Sequence, residues 1–300
     1  MPENLLVFLQ DLRELFKNTA KEWYAKDPFR QSAVIAYYAI FSIPGLLVLL
    51  ITIAGYFFGK EAVSENIIEQ VSGIMGPTIA LQIKEMLIAG SKTQSTFWGA
   101  VIGIATIIIG ATGVFVELQK AFNLIWAVKV VPSRGILPII KVRFFSFGLI
   151  MAIAFLLTIS LVISTALTAM SKWLQADSAL WLVNIFKVVN FFISLGVIST
   201  LFGLMFKILP DAKIKWKHVW LGSLVTGSLF TIGKTILAFY FGKVEPASGY
   251  GAAGSVVLIL LWVSYSSMIM FFGAEFTAAY ANMYSKKVPP TEIARIDPDA

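Results

Sequence analysis

A chain of 300 residues that is 58% hydrophobic and only 14% charged is not an ordinary soluble domain, in which about a quarter of residues carry charge. It has no cysteine, which excludes disulfides, thiolate catalysis and cysteine-ligated metals. Its net charge of +7 does not point to nucleic acid, because the basic residues gather in loops beside apolar segments.

Residues 1–30 hold too many charges for the apolar core of a cleavable signal. Leu5, Phe8, Leu9, Leu12, Leu15 and Phe16 recur at helical spacing. They predict an amphipathic cytoplasmic helix over 4–24, lying on the inner membrane surface or packed against the bundle. Residues 31–59 then carry no Asp, Glu, Lys or Arg. About 20 apolar residues at 1.5 Å rise cross the hydrocarbon, so a first span is placed at 32–59. Within it Pro44 deletes a backbone hydrogen bond and predicts a kink near 42–44.

Residues 60–96 form an outer loop. Ile67, Ile68, Val71, Ile74 and Met75 make one apolar stripe there, and Ile79, Ile83, Met86 and Leu87 make another after Gly76-Pro77. Two short helices are expected, neither long and apolar enough to span. Further spans fall at 97–123, 144–171, 187–206, 218–242 and 251–275, the last continuing as helix to about 284. The tail, 285–300, contains Pro289-Pro290 and Asp297-Pro298 and reads as disordered. The apolar residues come in blocks and do not alternate, so a membrane barrel is excluded. The fold class is all-α, a six-helix transmembrane domain over 31–284.

Loop charges orient it. Roughly 17 basic residues lie in the N-terminal segment, the second and fourth loops and the tail, against roughly 6 on the other side. Both termini are expected in the cytoplasm, which requires an even number of spans.

Polar side chains inside lipid are costly, so their placement is where function shows. Gly99, Gly103, Thr106, Gly110, Gly113 and Glu117 recur at steps of three or four along the second span. They form a close-packing seam or a cavity wall leading to Glu117. Ser160, Ser164 and Thr168 recur in the third span. Ser223, Gly227, Thr231 and Lys234 share a face of the fifth. Lys234 lies in the outer half of that span; it snorkels to headgroups or faces a wet cavity and an anionic group. Gln119 and Asn123, four apart, can bond across one helical turn, and Glu117 can pair with Lys120. Glu275, after Gly273-Ala274, is read as a clamp for basic groups of the second or fourth loop, or as a coupling residue.

His218 is the only histidine, so two-histidine acid–base chemistry is excluded. No acidic cluster has metal-site spacing. Gly233-Lys234-Thr235 imitates the end of a phosphate loop, but Ser228 stands where its first glycine belongs. No catalytic residue, metal or cofactor is expected. Trp98, Trp126, Trp173, Trp181, Trp216 and Trp220 sit near span ends and suit interface anchoring.

Residues 33–44 (AVIAYYAIFSIP), 110–128 (GATGVFVELQKAFNLIWAV), 207–210 (KILP) and 248–277 (SGYGAAGSVVLILLWVSYSSMIMFFGAEFT) together resemble the YihY/BrkB family of bacterial inner-membrane proteins. The resemblance implies six helices with both termini inside, and transporter-like proteins without an agreed substrate. Its motif positions include Tyr37, Tyr38, Ser42, Pro44, Glu117, Gln119, Asn123, Pro210, Tyr250, Gly251, Trp262, Tyr265, Gly273 and Glu275. Gly45 departs from the bulky residue expected after the proline. An older ribonuclease BN label finds no catalytic or metal constellation here. The expected function is a transporter or lipid- or amphiphile-translocating protein that is not an enzyme. A non-transporting scaffold for envelope machinery is the alternative. Membrane lipids and a small amphiphilic or anionic substrate are the expected partners, with no nucleic acid; a homo-oligomer is left open.

Overall fold

The computed structural model describes residues 2–75, 77–93, 97–131, 180–244, 246, 248–284 and 288–297. The span expected at 144–171, with Ser160, Ser164 and Thr168, lies outside them. The chain divides into two units. One is built from Asp27–Leu118 and Ile232–Ile269, the other from Met1–Lys26, Gln119–Thr231 and Met270–Ala300.

The first unit opens on a helix start dictated by local chemistry. Helix α1 (Pro2–Ala25) ends where Asp27 turns left-handed at φ 52°. Pro28 then begins α2 (Pro28–Phe58), where its fixed φ suits the first turn and its missing N–H is not needed. The 31-residue α2 runs unbroken through Pro44, and Ser42 Oγ donates to Ala39 O at 3.2 Å. Gly59, at φ 86°, supplies the left-handed turn into α3 (Lys60–Met75). With α4 (Pro77–Thr93), α3 packs on α2, and Ile79, Ala80 and Ile83 bury one stripe of α4. Helix α5 (Phe97–Ile125) follows.

The second unit takes the last turns of α5, then strand β1 (Val128–Val130) and helix α6 (Leu180–Ile208). Helix α7 (Trp216–Val244), a 3-10 turn (Ser248–Ala253), helix α8 (Gly254–Tyr284) and strand β2 (Ala294–Ile296) complete the described chain. Both α7 and α8 run through the two units. The core here is aromatic: Phe122 of α5 meets Phe206 of α6 at 5.8 Å and Phe271 of α8 at 6.2 Å between ring centroids. Helix α1 packs on α8 through Phe16–Phe276 and Trp23–Phe272. Among the described residues three segments are long and apolar enough to cross a membrane: Val188–Ile208, Trp216–Val244 and Val256–Tyr284.

Two expectations are corrected. The tail is ordered over residues 288–297: β2 pairs antiparallel with β1, with Val128 opposite Ile296 and Val130 opposite Ala294. It is held by backbone donors that composition does not reveal. Lys213 N donates to Pro289 O, Thr291 N to Asp211 O, and Asp297 N to Ala127 O, all at 2.8–2.9 Å. Pro289 and Pro290, lacking N–H groups, still offer carbonyls, so their presence does not prevent docking. The helical class therefore carries one small ribbon. Trp126, expected as an interface anchor, is buried instead, whereas Trp216 and Trp220 are exposed.

Candidate functional site

The C-terminal end of α5 presents Gln119 and Asn123 four residues apart on one helical face. They do not bond each other. Both reach the turn between α6 and α7, where Pro210 stops the helix and Asp211 follows. Asn123 Nδ2 donates to Asp211 Oδ2 at 2.8 Å, and Gln119 Nε2 donates to the same oxygen at 3.0 Å. Asp211 N returns a bond to Asn123 Oδ1 at 2.8 Å. Asn123 and Asp211 are both buried, and amide donors solvate the carboxylate where water is displaced. The Asp211 carbonyl also accepts from Thr291 N, so one residue ties α5, the α6–α7 turn and the tail. Lys207 Nζ donates to Ile214 O, which closes the turn from the other side.

Spacing and membrane depth do not mark Asp211 as a site residue. One signal did exist: it is the only acid between Asp177 and Glu245, set among Lys207, Lys213, Lys215 and Lys217. An isolated acid in a cationic loop invites an ion-pair reading. The structure gives it amide partners from a helix 88 and 92 residues away.

Glu275 of α8 has a partner, but not from the second or fourth loop. Lys26 Nζ, just past the end of α1, lies 2.7 Å from Glu275 Oε1 and also donates to Ile125 O at 3.3 Å. The Glu275 side chain is 5% exposed and that of Lys26 21%, so water reaches the cation more than the carboxylate. Removing one partner of such a pair strands a buried charge, while removing both relieves the site. We expect Lys26→Met to cost about 1–2 kcal/mol, discounted for the exposure of Lys26. Thermal melting in detergent reads this loss, and Lys26→Met with Glu275→Met should recover most of it.

The small residues read as packing or cavity faces fall at helix contacts wherever their side is described. A methyl group at Gly110 would meet Ser42 Cβ at 2.9 Å, and one at Gly113 would meet the Tyr38 ring, both on α2. Gly227 of α7 faces Ser199 of α6, with Ser199 Cα 3.3 Å from the position of an added Cβ. Ser223 lies over Gly203 of α6 and donates to Trp220 O. Gly99 and Gly103 lie on α5, their surroundings outside the description. Glu117 is partly buried on α5, and Lys234 is partly buried on α7 next to Gly233, which Ile269 and Tyr265 of α8 cover. His218 is buried with its ring 5.7 Å from that of Tyr280. Among the described residues no group of three or more His, Cys, Asp or Glu is placed to hold a metal.

The matches to known proteins run along the whole of this framework. A model of the family described as Virulence factor BrkB matches residues 19–295. The chain belongs to the BrkB family. Relatives named UPF0761 membrane protein include one from Saccharophagus degradans, 24% identical over 91% of this chain and 61% of its own length. Another, from Albidiferax ferrireducens, is 25% identical over 95% of this chain and 67% of its own. A third, from Alteromonas mediterranea, is 24% identical over 95% and 92%. The chain thus spans about 61% of the length of the Saccharophagus degradans relative. No solved structure matches it. This BrkB-family chain is a membrane protein whose α5 end, α6–α7 turn and tail are joined at Asp211.

Proposed function

We propose that this protein is a six-span helical bundle of the bacterial inner membrane, with both ends of the present chain in the cytoplasm. It translocates a lipid or small amphiphile without an ATP-binding part of its own and without enzymatic chemistry. Support for six spans comes from α2 and α5, at 31 and 29 residues, the three apolar segments, and the uncharged stretch 144–171. Loop charges support the orientation.

The observation that carries transport is Lys234. It stands within the segment Trp216–Val244, about 15 Å from Val244 along the helix, and is not wholly exposed. A cation so placed marks a substrate or ion path by default, because lipid alone disfavours it. A second reading, a scaffold, is favoured by the filled faces at Gly110, Gly113 and Gly227. Flux of fluorescent phospholipids and amphiphiles in proteoliposomes separates the two. Transport expects flux with the wild type, at least about tenfold less with Lys234→Gln, and retention with Lys234→Arg. No flux above protein-free liposomes for any tested compound would sink it in favour of the scaffold.

A further inference from the structure

The turn between two apolar segments must lie at a membrane–water boundary, and the one between Ile208 and Trp216 has a distinctive surface. Lys213, Lys215 and Lys217 are exposed there. Trp216 and Trp220, 44% and 51% exposed, stand one turn apart with ring centroids at 6.1 Å. Lys207 is spent within the turn, on Ile214 O and on the Trp216 ring at 5.9 Å. The acid of the turn, Asp211, is buried under Asn123 and Gln119 and does not offset the exposed lysines.

The ribbon docked beside this turn adds two exposed cations. Lys129 of β1 and Arg295 of β2 are exposed and sit directly opposite each other in register. Like charges placed opposite across an antiparallel pair repel unless an anion lies between or above them. The acids alongside are Glu292, exposed, and Asp297, half-buried at the end of the ribbon. Cations therefore dominate the turn, next to two amphipathic rings suited to the headgroup level, while the ribbon adds Lys129 and Arg295 beside those two acids.

We propose that the α6–α7 turn, the start of α7 and the β1–β2 ribbon form a docking surface for the headgroups of anionic phospholipids. The lysines and Arg295 take the phosphates, and the Trp216–Trp220 pair sits among the glycerol backbones. The surface requires the protein to lie in a membrane but does not require transport. A protein without flux can still show it, and the converse also holds.

The test uses the full chain in phosphatidylcholine nanodiscs containing a minor fraction of dibrominated phosphatidylglycerol or, in parallel, dibrominated phosphatidylcholine. Tryptophan emission is the readout. The expected result is stronger quenching by the anionic lipid at equal content. That excess should disappear when the reporters are removed by Trp216→Phe with Trp220→Phe. Lys213→Gln with Lys215→Gln and Lys217→Gln should reduce the lipid preference at least about tenfold, since each lysine near an anionic surface contributes roughly a fivefold preference. Lys129→Gln with Arg295→Gln should reduce it less. If the triple glutamine variant misfolds, the triple arginine variant must keep the preference, and raising salt on the wild type must remove it. Equal quenching of the wild type by both lipids would overturn the proposal. So would an excess that survives loss of the three lysines, or one abolished by millimolar inorganic phosphate but not by chloride at the same ionic strength.

Discussion

Gly222→Ala should lower the melting temperature more than any other single methyl addition on α7. Helices α7 and α8 meet through a reciprocal arrangement. Gly222 of α7 lies against Thr277 of α8, and Gly273 of α8 lies against Thr226 of α7. Each threonine also donates back to the glycine four residues earlier on its own helix, Thr226 Oγ1 to Gly222 O at 2.6 Å and Thr277 Oγ1 to Gly273 O at 2.7 Å. The hydroxyls are thus satisfied within their helices, and their bodies fill the gap that each glycine leaves opposite. A Cβ on Gly222 would stand 2.8 Å from Thr277 Cβ and 3.2 Å from Thr277 Cα. Both distances decide the outcome, because rotation about the Cα–Cβ bond of Thr277 moves neither atom. The helices themselves must part, and all four residues are buried. Overpacking of this kind costs about 1–3 kcal/mol, against which alanine regains about 1 kcal/mol of helix propensity. With the backbones forced apart, we expect a net loss in the upper half of the remaining range, about 1–2 kcal/mol, read as a lower melting temperature in detergent, and a similar loss for Gly273→Ala. Gly222→Ala with Thr277→Gly moves the small residue to the facing helix and should recover part of it. A Gly222→Ala protein that melts with the wild type would show that the two helices do not make this contact in the membrane.

The glycine stripes show how far one sequence carries. Spacing placed Gly110, Gly113 and Gly227 on helix faces, because a period of 3.6 residues is a local property. The stripe through Ser223 and Gly227 does not include Gly222, because α7 touches neighbours on more than one side. Which face meets α8 and which meets α6 depends on where those helices lie, a nonlocal fact. The order of the tail is nonlocal for a related reason. Prolines and charges make 285–300 a poor helix or isolated strand, yet β2 needs only the unpaired edge of β1, and the residues before it need only the Lys213 N–H and the Asp211 carbonyl of the α6–α7 turn. Glu275 and Asn123 were legible as polar groups that must find partners. Lys26 and Asp211 are not legible as those partners, because pairing across 88 residues for Asn123 and about 250 for Glu275 leaves no trace in spacing.

Asp211 offers the largest single effect outside the helix seams. Its Oδ2 receives two amide donors in a buried setting, and hydrogen bonds to a charged acceptor contribute about 1.5–3 kcal/mol each. Asp211→Ala removes the acceptor and leaves the Asn123 amide buried without it, so a loss of about 3–4 kcal/mol is expected. Asp211→Asn should cost about half as much, since its amide oxygen can occupy the Oδ2 position and still accept both bonds without the charge. Asn123→Asp is the sharper probe. It sets a second carboxylate against the first, where only an amide donor fits, and should be at least as harmful as Asp211→Ala. Joining it to Asp211→Asn reverses the polarity of the pair. The carboxylate at 123 can still accept from the backbone N–H of residue 211, and the new amide at 211 can donate to it. Chemical unfolding in detergent should therefore place the swapped pair nearer the wild type than Asn123→Asp alone, by at least about 1.5 kcal/mol of coupling. Additive losses across that cycle would mean that Asn123 and Asp211 do not bond, and α5 would be tied to Asp211 of the α6–α7 turn through Gln119 alone.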